Sequence, residues 1–293
     1  MNKKCGYVAI IGRPNVGKST LLNDLIKEKV SIISPKAQTT RHTILGIKTD
    51  EASQTIYIDT PGIHEEERAA MNRYMNRLAR GVILDADVIV FMIEATRWQS
   101  NDDTVLEALD DVKKPVILAI NKIDLLKDKT RLLPLIDRLK ERFSFSDIIP
   151  ISVNQHQNIE ALQEKIVSYL PLGDYLFPKE MVTDKTLFFQ VAECIREKVI
   201  RLTAEEIPYS TTVVIESLKE EEKIVNISAL IWVEREGQKS IVIGEGGERL
   251  KKIGTSARLD LEKRFSKKVF LRLWVKVKDD WTNNERLLQD QMN

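Results

Sequence analysis

The chain reads as an α/β protein in which a doubly wound, mostly parallel sheet is followed by a smaller α+β domain. Three observations carry that expectation. From residue 7 to about residue 170, short apolar runs alternate with amphipathic helical patterns, the order of a sheet covered by helices on both faces. A glycine-rich turn, Gly12 to Ser19, joins the first run to the first helical pattern. Beyond residue 186 the order changes to helix, two strands, a Gly-x-x-Gly turn, one or two helices and a strand.

In order, the expected strands of the first domain are 7–11, 43–49, 55–59, 88–94, 116–121 and 148–152, and its helices lie near 18–27, 68–84, 103–109, 132–143 and 159–170. The runs at 88–94 and 116–121 are apolar almost throughout, as strands buried on both faces must be. Residues 171–178 hold two prolines, a glycine and two aromatics, so they break the helix and suit a docked connector better than a loose tether. The domains are set at 1–172 and 186–293, with 173–185 as linker. Phe188, Val191, Ile195, Val199 and Leu202 then recur at helical spacing, strands follow at 211–216 and 224–234, and Ile241-Val242-Ile243 reads as a strand end leading into Gly244. A helix over 248–265 and an alternating strand over 269–278 complete the chain.

The 293 residues with 43% hydrophobic content suffice for two cores. A net charge of +1 conceals an asymmetry: residues 239–278 carry +8 and the remainder −7, so the C-terminal part is the candidate for a polyanion partner. Cys5 and Cys194 fall in different domains and suggest no disulfide framework. The first strand begins too soon to leave room for a signal peptide, and the longest apolar stretch is too short for a bilayer; a soluble, cytoplasmic monomer is expected. His42, His64 and His156 lack metal-ligand spacing.

Three segments describe a guanine nucleotide site. Gly12 and Gly17 let backbone N–H groups curl around a phosphate, Lys18 bridges the β and γ phosphates and Ser19 ligates Mg²⁺; Asn15, Val16 and Thr20 complete the contacts. Asp59 in Asp59-Thr60-Pro61-Gly62 holds a water on Mg²⁺, and the Gly62 N–H reaches the γ-phosphate. In Asn121-Lys122-Ile123-Asp124 the Asp124 carboxylate accepts both N1–H and N2–H of guanine, a pairing adenine does not offer. GTP and GDP are therefore the expected ligands. The Gly244-Glu245-Gly246-Gly247 turn in a basic region suggests single-stranded RNA, with Lys251, Lys252 and Arg258 supplying positive field.

These motifs together resemble the Era family of bacterial ribosome-assembly GTPases over essentially the whole chain. The resemblance is carried by the phosphate loop, Pro35-Lys36-Ala37-Gln38-Thr39-Thr40-Arg41, the aspartate and asparagine motifs, Glu234-Arg235-Glu236-Gly237-Gln238-Lys239 and Leu273-Trp274-Val275-Lys276-Val277-Lys278. It implies a P-loop GTPase domain fused to a type II KH domain that binds the 3′ end of 16S ribosomal RNA and assists assembly of the 30S subunit. It places the first switch at 34–41, with Thr40 as Mg²⁺ ligand and Thr39 as the alternative. It also implies K⁺ held by Asn15, which otherwise only shapes the turn. Ser152-Val153 stands where Ser-Ala is usual, with a backbone N–H for guanine O6. Glu245 occupies a position usually basic and weakens RNA affinity. Ile63 replaces the water-orienting glutamine of Ras-type enzymes, so slow hydrolysis is expected. The runner-up is a GTPase acting on protein or membrane partners, peripheral at the inner face of the cell membrane, with a KH-like docking part. An inactive nucleotide domain is disfavoured by the intact Lys18, Ser19, Asp59 and Asp124.

Overall fold

A computed structural model describes residues 3–34, 36, 39–62, 70–203 and 211–279. The chain forms two compact units, residues 1–31 with 40–184, and residues 32–39 with 185–293.

The first unit is a six-stranded sheet of order β2-β3-β1-β4-β5-β6, parallel except for β2. Its strands are β1 (Lys4–Ile11), β2 (Ile44–Thr49), β3 (Ser53–Asp59), β4 (Val88–Glu94), β5 (Val116–Asn121) and β6 (Asp147–Pro150). Helices α1 (Lys18–Ile26), α2 (Ala70–Asp85), α3 (Ser100–Glu107), α4 (Leu132–Lys140) and α5 (Ile159–Tyr169) connect them. Every residue of β3, β4 and β5 is buried; β4 and β5 are accordingly nearly continuous apolar runs, whereas β3 also buries the polar side chains of Ser53, Gln54, Thr55 and Asp59. α3 starts three residues before the expected 103 because the Asp102 carboxylate accepts the Gln99 N–H at 3.0 Å and closes the first turn. The connector is docked: buried Gln54 accepts the N–H groups of Leu176 and Phe177 at 2.8 and 3.0 Å, and Phe177 packs near Cys5, Ile47 and Ile56.

The second unit has a three-stranded sheet, β7 (Thr212–Glu220), β8 (Ile224–Val233) and β9 (Lys268–Val277), with β7 antiparallel and β9 parallel to β8. Helices α6 (Leu187–Leu202), α7 (Glu236–Ile243) and α8 (Glu248–Phe265) cover one face. Ile33 and Thr39 are tied to α6, where Arg201 donates to the Ile33 carbonyl at 2.8 Å and Arg196 to the Thr39 carbonyl at 2.6 Å. One expectation is corrected. Ile241-Val242-Ile243 ends a helix, not a strand. Its β-branched run favours a strand locally, but the Gln238 side chain accepts the N–H groups of Glu234 and Arg235 and starts a helix there, which turns Val242 into the core. Tertiary packing outweighs propensity at this position.

Cys5 and Cys194 are not joined in a disulfide. Among the described residues no helix is long and apolar enough to cross a membrane.

Candidate functional site

β1 ends at Ile11 and α1 begins at Lys18, so the expected phosphate loop runs from a buried strand to a helix N-terminus. The first N–H groups of such a helix lack intrahelical acceptors and, with the helix dipole, favour an anion. Glycine is required twice. Gly12 has φ 149° and a Cβ there would stand 2.5 Å from the Met92 carbonyl oxygen; Gly17 has φ 109° and a Cβ would stand 2.5 Å from the Asn121 amide. Lys18 is buried and donates to the carbonyls of Gly12 and Arg13 at 2.9 and 3.0 Å. Burial lowers its pKa to about 8, with the Asp59 charge opposing, and a phosphate arriving beside it would favour the ammonium further. Val16 is buried, Thr20 is half-buried on α1, and Asn15 is exposed in the left-handed region at φ 66°.

Arg13 was passed over in the sequence, where it is one variable position of a loop motif. The fold buries it between two carboxylates: its guanidinium bonds Glu94 and reaches Asp102 at 3.2 Å. Burial pushes Glu94 upward, but its bonds from Lys122 and Arg13 leave it below the usual carboxylate range, whereas burial leaves Asp102 above it. Arg13→Ala leaves Asp102 desolvated without its cation and takes one of its cations from Glu94, which keeps Lys122, and is expected to lower unfolding free energy by about 3 kcal/mol. Urea denaturation followed by circular dichroism measures it; a loss under about 0.5 kcal/mol, the level of an ordinary surface change, means the loop is held by other contacts.

Asp59 ends β3, fully buried, and its Oδ2 accepts the hydroxyls of Ser19 at 2.6 Å, Ser31 at 2.8 Å and Thr40 at 3.5 Å. Ser19 and Thr40 stand 2.9 Å apart. The other carboxylate oxygen, Oδ1, is buried without a hydrogen-bond partner. An orphaned carboxylate oxygen beside two hydroxyls is a hard donor set, and it fits Mg²⁺. Burial raises the Asp59 pKa, opposed first by the Ser19 bond and then by Lys18. Thr39 faces elsewhere, its hydroxyl donating to the Lys36 carbonyl at 2.6 Å. Ser31 was not among the expected residues, because nothing in its sequence surroundings marks a contact to a residue 28 positions away. Gly62 lies against Pro14, where a Cβ would meet the ring at 2.7 Å. Ile63 is outside the described residues.

The base-reading loops are cross-tied. Asn121 donates to the Val16 carbonyl at 2.8 Å and accepts the Val153 N–H at 3.2 Å, so one amide joins the phosphate loop to the loop after β6. Lys122 donates to the Asn15 carbonyl at 2.9 Å and pairs with Glu94. Asp124 is partly exposed, and its Oδ1 accepts the hydroxyl of buried Ser152 at 2.5 Å. That bond leaves Oδ2 and the second lone pair of Oδ1 for a base.

In the second unit, α7 stops at Gly244 (φ 74°), Gly246 (φ 56°) is left-handed, and Gly247 (φ 81°) is the N-cap of α8. No atom lies within 4 Å of a Cβ built on Gly246 or Gly247, so the turn is open to close approach, although the Gly247 N–H is itself taken by the Gly244 carbonyl at 3.1 Å. Glu245, Lys251 and Lys252 are exposed. Arg258 is committed to Glu262 at 3.1 Å, so its charge is partly neutralised.

Comparison with known proteins agrees with this anatomy. Residues 7–122 match a family model described as 50S ribosome-binding GTPase, and residues 206–282 match one described as KH domain. The chain is 53% identical to GTPase Era of Coxiella burnetii over 98% of its length and 97% of the relative. It is 50% identical to GTPase Era of Pseudomonas fluorescens over 98% and 95%. It superposes with TM-score 0.94 at 43% identity, over 98% of both chains, on a variant of Aquifex aeolicus Era bound to GDP·AlF₄⁻. It superposes equally well on Era in complex with MgGDPNP and nucleotides 1506–1542 of 16S ribosomal RNA.

Proposed function

Because this chain belongs to the Era family of GTPases, we propose that it is a GTP-hydrolysing switch that binds the 3′ end of 16S ribosomal RNA and assists assembly of the 30S subunit in the cytoplasm. What carries the reading is the meeting of Ser19, Thr40 and Asp59 oxygens at 2.6–3.5 Å, an Mg²⁺ donor set at the phosphate loop, in a chain that also has a Gly-x-x-Gly turn. The RNA half is supported by the relative that carries 16S nucleotides.

Lys18 and the loop N–H groups stabilise charge on the transferred phosphoryl, which is the largest contribution available to such a site. Ser19, Thr40 and Asp59 would hold Mg²⁺, which would supply positive charge against the phosphates. Asp124 selects guanine, and Ser152 fixes the carboxylate that does so. An isoleucine at position 63 offers no side-chain hydrogen bond to orient water, so turnover without a partner is slow. Asn15, exposed beside the phosphate loop, presents an amide oxygen for K⁺. Turnover is expected to be several-fold faster in K⁺ than in Na⁺ at equal ionic strength, and Asn15→Ala to remove the difference while sparing GTP binding. Equal rates in both salts assign Asn15 to shaping the turn, for which its left-handed backbone already suits it.

Crosslinking of RNA to the protein in growing cells tests the whole reading. Reads concentrated at the 3′ terminus of 16S ribosomal RNA are expected; crosslinks scattered over unrelated transcripts, or none above background, overturn it.

A further inference from the structure

The face of the β7-β8-β9 sheet opposite helices α6–α8 has an unusual composition. In β9, Val269, Leu271, Leu273 and Val275 join the core, and the pleat therefore sends Lys268, Phe270, Arg272, Trp274 and Lys276 outward. Phe270 is 51% exposed and Trp274 43%. Two large rings on a solvent face forgo burial worth having, which an ordinary solvated strand avoids. They are not isolated. The Arg272 guanidinium lies 5.7 Å from the Phe270 ring centroid and 5.8 Å from that of Trp274, so one cation sits between two rings. On β8, Trp232 is in register with Lys276, and the Lys278 ammonium lies 3.7 Å from its ring centroid. Neither β8 nor β9 contains an acidic residue.

We propose that this outer sheet face is a second single-stranded RNA platform, in which unpaired bases stack on Phe270 and Trp274 while Lys268, Arg272, Lys276 and Lys278 take the phosphates. The proposal rests on the reading that the second unit binds RNA, and it places a contact surface on the side of the sheet away from the helices that bear the Gly-x-x-Gly turn. Rings interleaved with cations match single-stranded nucleic acid, whose every base offers a π-face and every link a negative charge. A duplex hides its bases from stacking. A protein partner is a poorer match, since the cores of protein interfaces are depleted in lysine.

The test uses the full chain and labelled single-stranded RNA of two lengths: about four nucleotides, enough for the Gly-x-x-Gly turn alone, and about twelve. Phe270→Ala and Trp274→Ala are each expected to weaken binding of the longer RNA about tenfold, the scale of one lost base–ring stack, and to leave the shorter unchanged. Phe270→Tyr and Trp274→Phe keep a stacking ring and should restore affinity. Tryptophan emission should be quenched by the longer RNA in the parent protein and less so in Trp274→Phe. Unchanged affinity for both lengths overturns the platform, as does equal loss for both. Loss of co-sedimentation with anionic phosphatidylglycerol vesicles, with RNA affinity intact, overturns it in favour of a membrane surface. If the parent protein binds neither length, the RNA reading itself fails; if it binds the short RNA and the alanine variants bind both lengths normally, that reading stands and only the platform falls.

Discussion

Asp124→Asn is expected to turn the preference of this protein from GTP to XTP. In the parent site the two Asp124 carboxylate oxygens accept from guanine, one from N1–H and one from the 2-amino group, while Ser152 donates to Oδ1 at 2.5 Å. Xanthine replaces the amino donor by an oxygen acceptor. The carboxylate then faces an acceptor, and an amide supplies the donor that fits. Because mismatched polar groups in a built site are left unpaired, the ratio of GTP to XTP affinity should change by about 10⁴. Competition against a fluorescent guanosine diphosphate measures it. A variant that still prefers GTP shows that Asp124 does not read the base. Thermal midpoints should barely move, since Asp124 is partly exposed and its one buried partner, the Ser152 hydroxyl, can still donate to the amide oxygen.

Gly246→Asp with Gly247→Asp should weaken RNA binding about a hundredfold. Each new carboxylate about 4 Å from a phosphate costs about 1 kcal/mol even in water, and each new Cβ occupies space through which the backbone N–H groups must be approached. The fold tolerates both changes. Added Cβ atoms meet nothing within 4 Å, and aspartate enters the left-handed region more readily than most residues, at about 1 kcal/mol. Glu245→Lys tests the same turn in the opposite sense: affinity should rise, and the slope of log affinity against log salt should steepen by about 0.7 for one more neutralised phosphate. Titration of a 16S 3′-end oligonucleotide at several salt concentrations reads both variants, with guanosine diphosphate affinity as the folding control. Normal RNA affinity in both would move the RNA away from this turn.

The nucleotide site was legible because its chemistry is written in contiguous strings. Gly12 to Ser19, Asp59 to Gly62 and Asn121 to Asp124 each follow an apolar run that can only be a buried strand, and a parallel sheet delivers all such ends to one edge. The exposed aromatic strip was half legible: the alternation in β9 and the lysines and arginine of one set mark the solvent face in the sequence, but that Phe270 and Trp274 in that set remain uncovered is not. The strand reading of Ile241-Val242-Ile243 failed for a related reason. Three β-branched residues carry a local preference of tenths of a kcal/mol, which the buried Val242 and the Gln238 cap override.

By itself, then, the sequence determined the two fold classes, the order of the phosphate, metal and base motifs, and the polarity of the second unit, all of which depend on residue type and short-range spacing. Only the tertiary structure decided that Arg13 is a buried staple between Glu94 and Asp102, that Ser31 joins Ser19 and Thr40 on Asp59, and that Thr40 rather than Thr39 faces that carboxylate. Those are matters of which side chain meets which across tens of residues, and burial energy summed over a whole core sets them, not any property of the local chain.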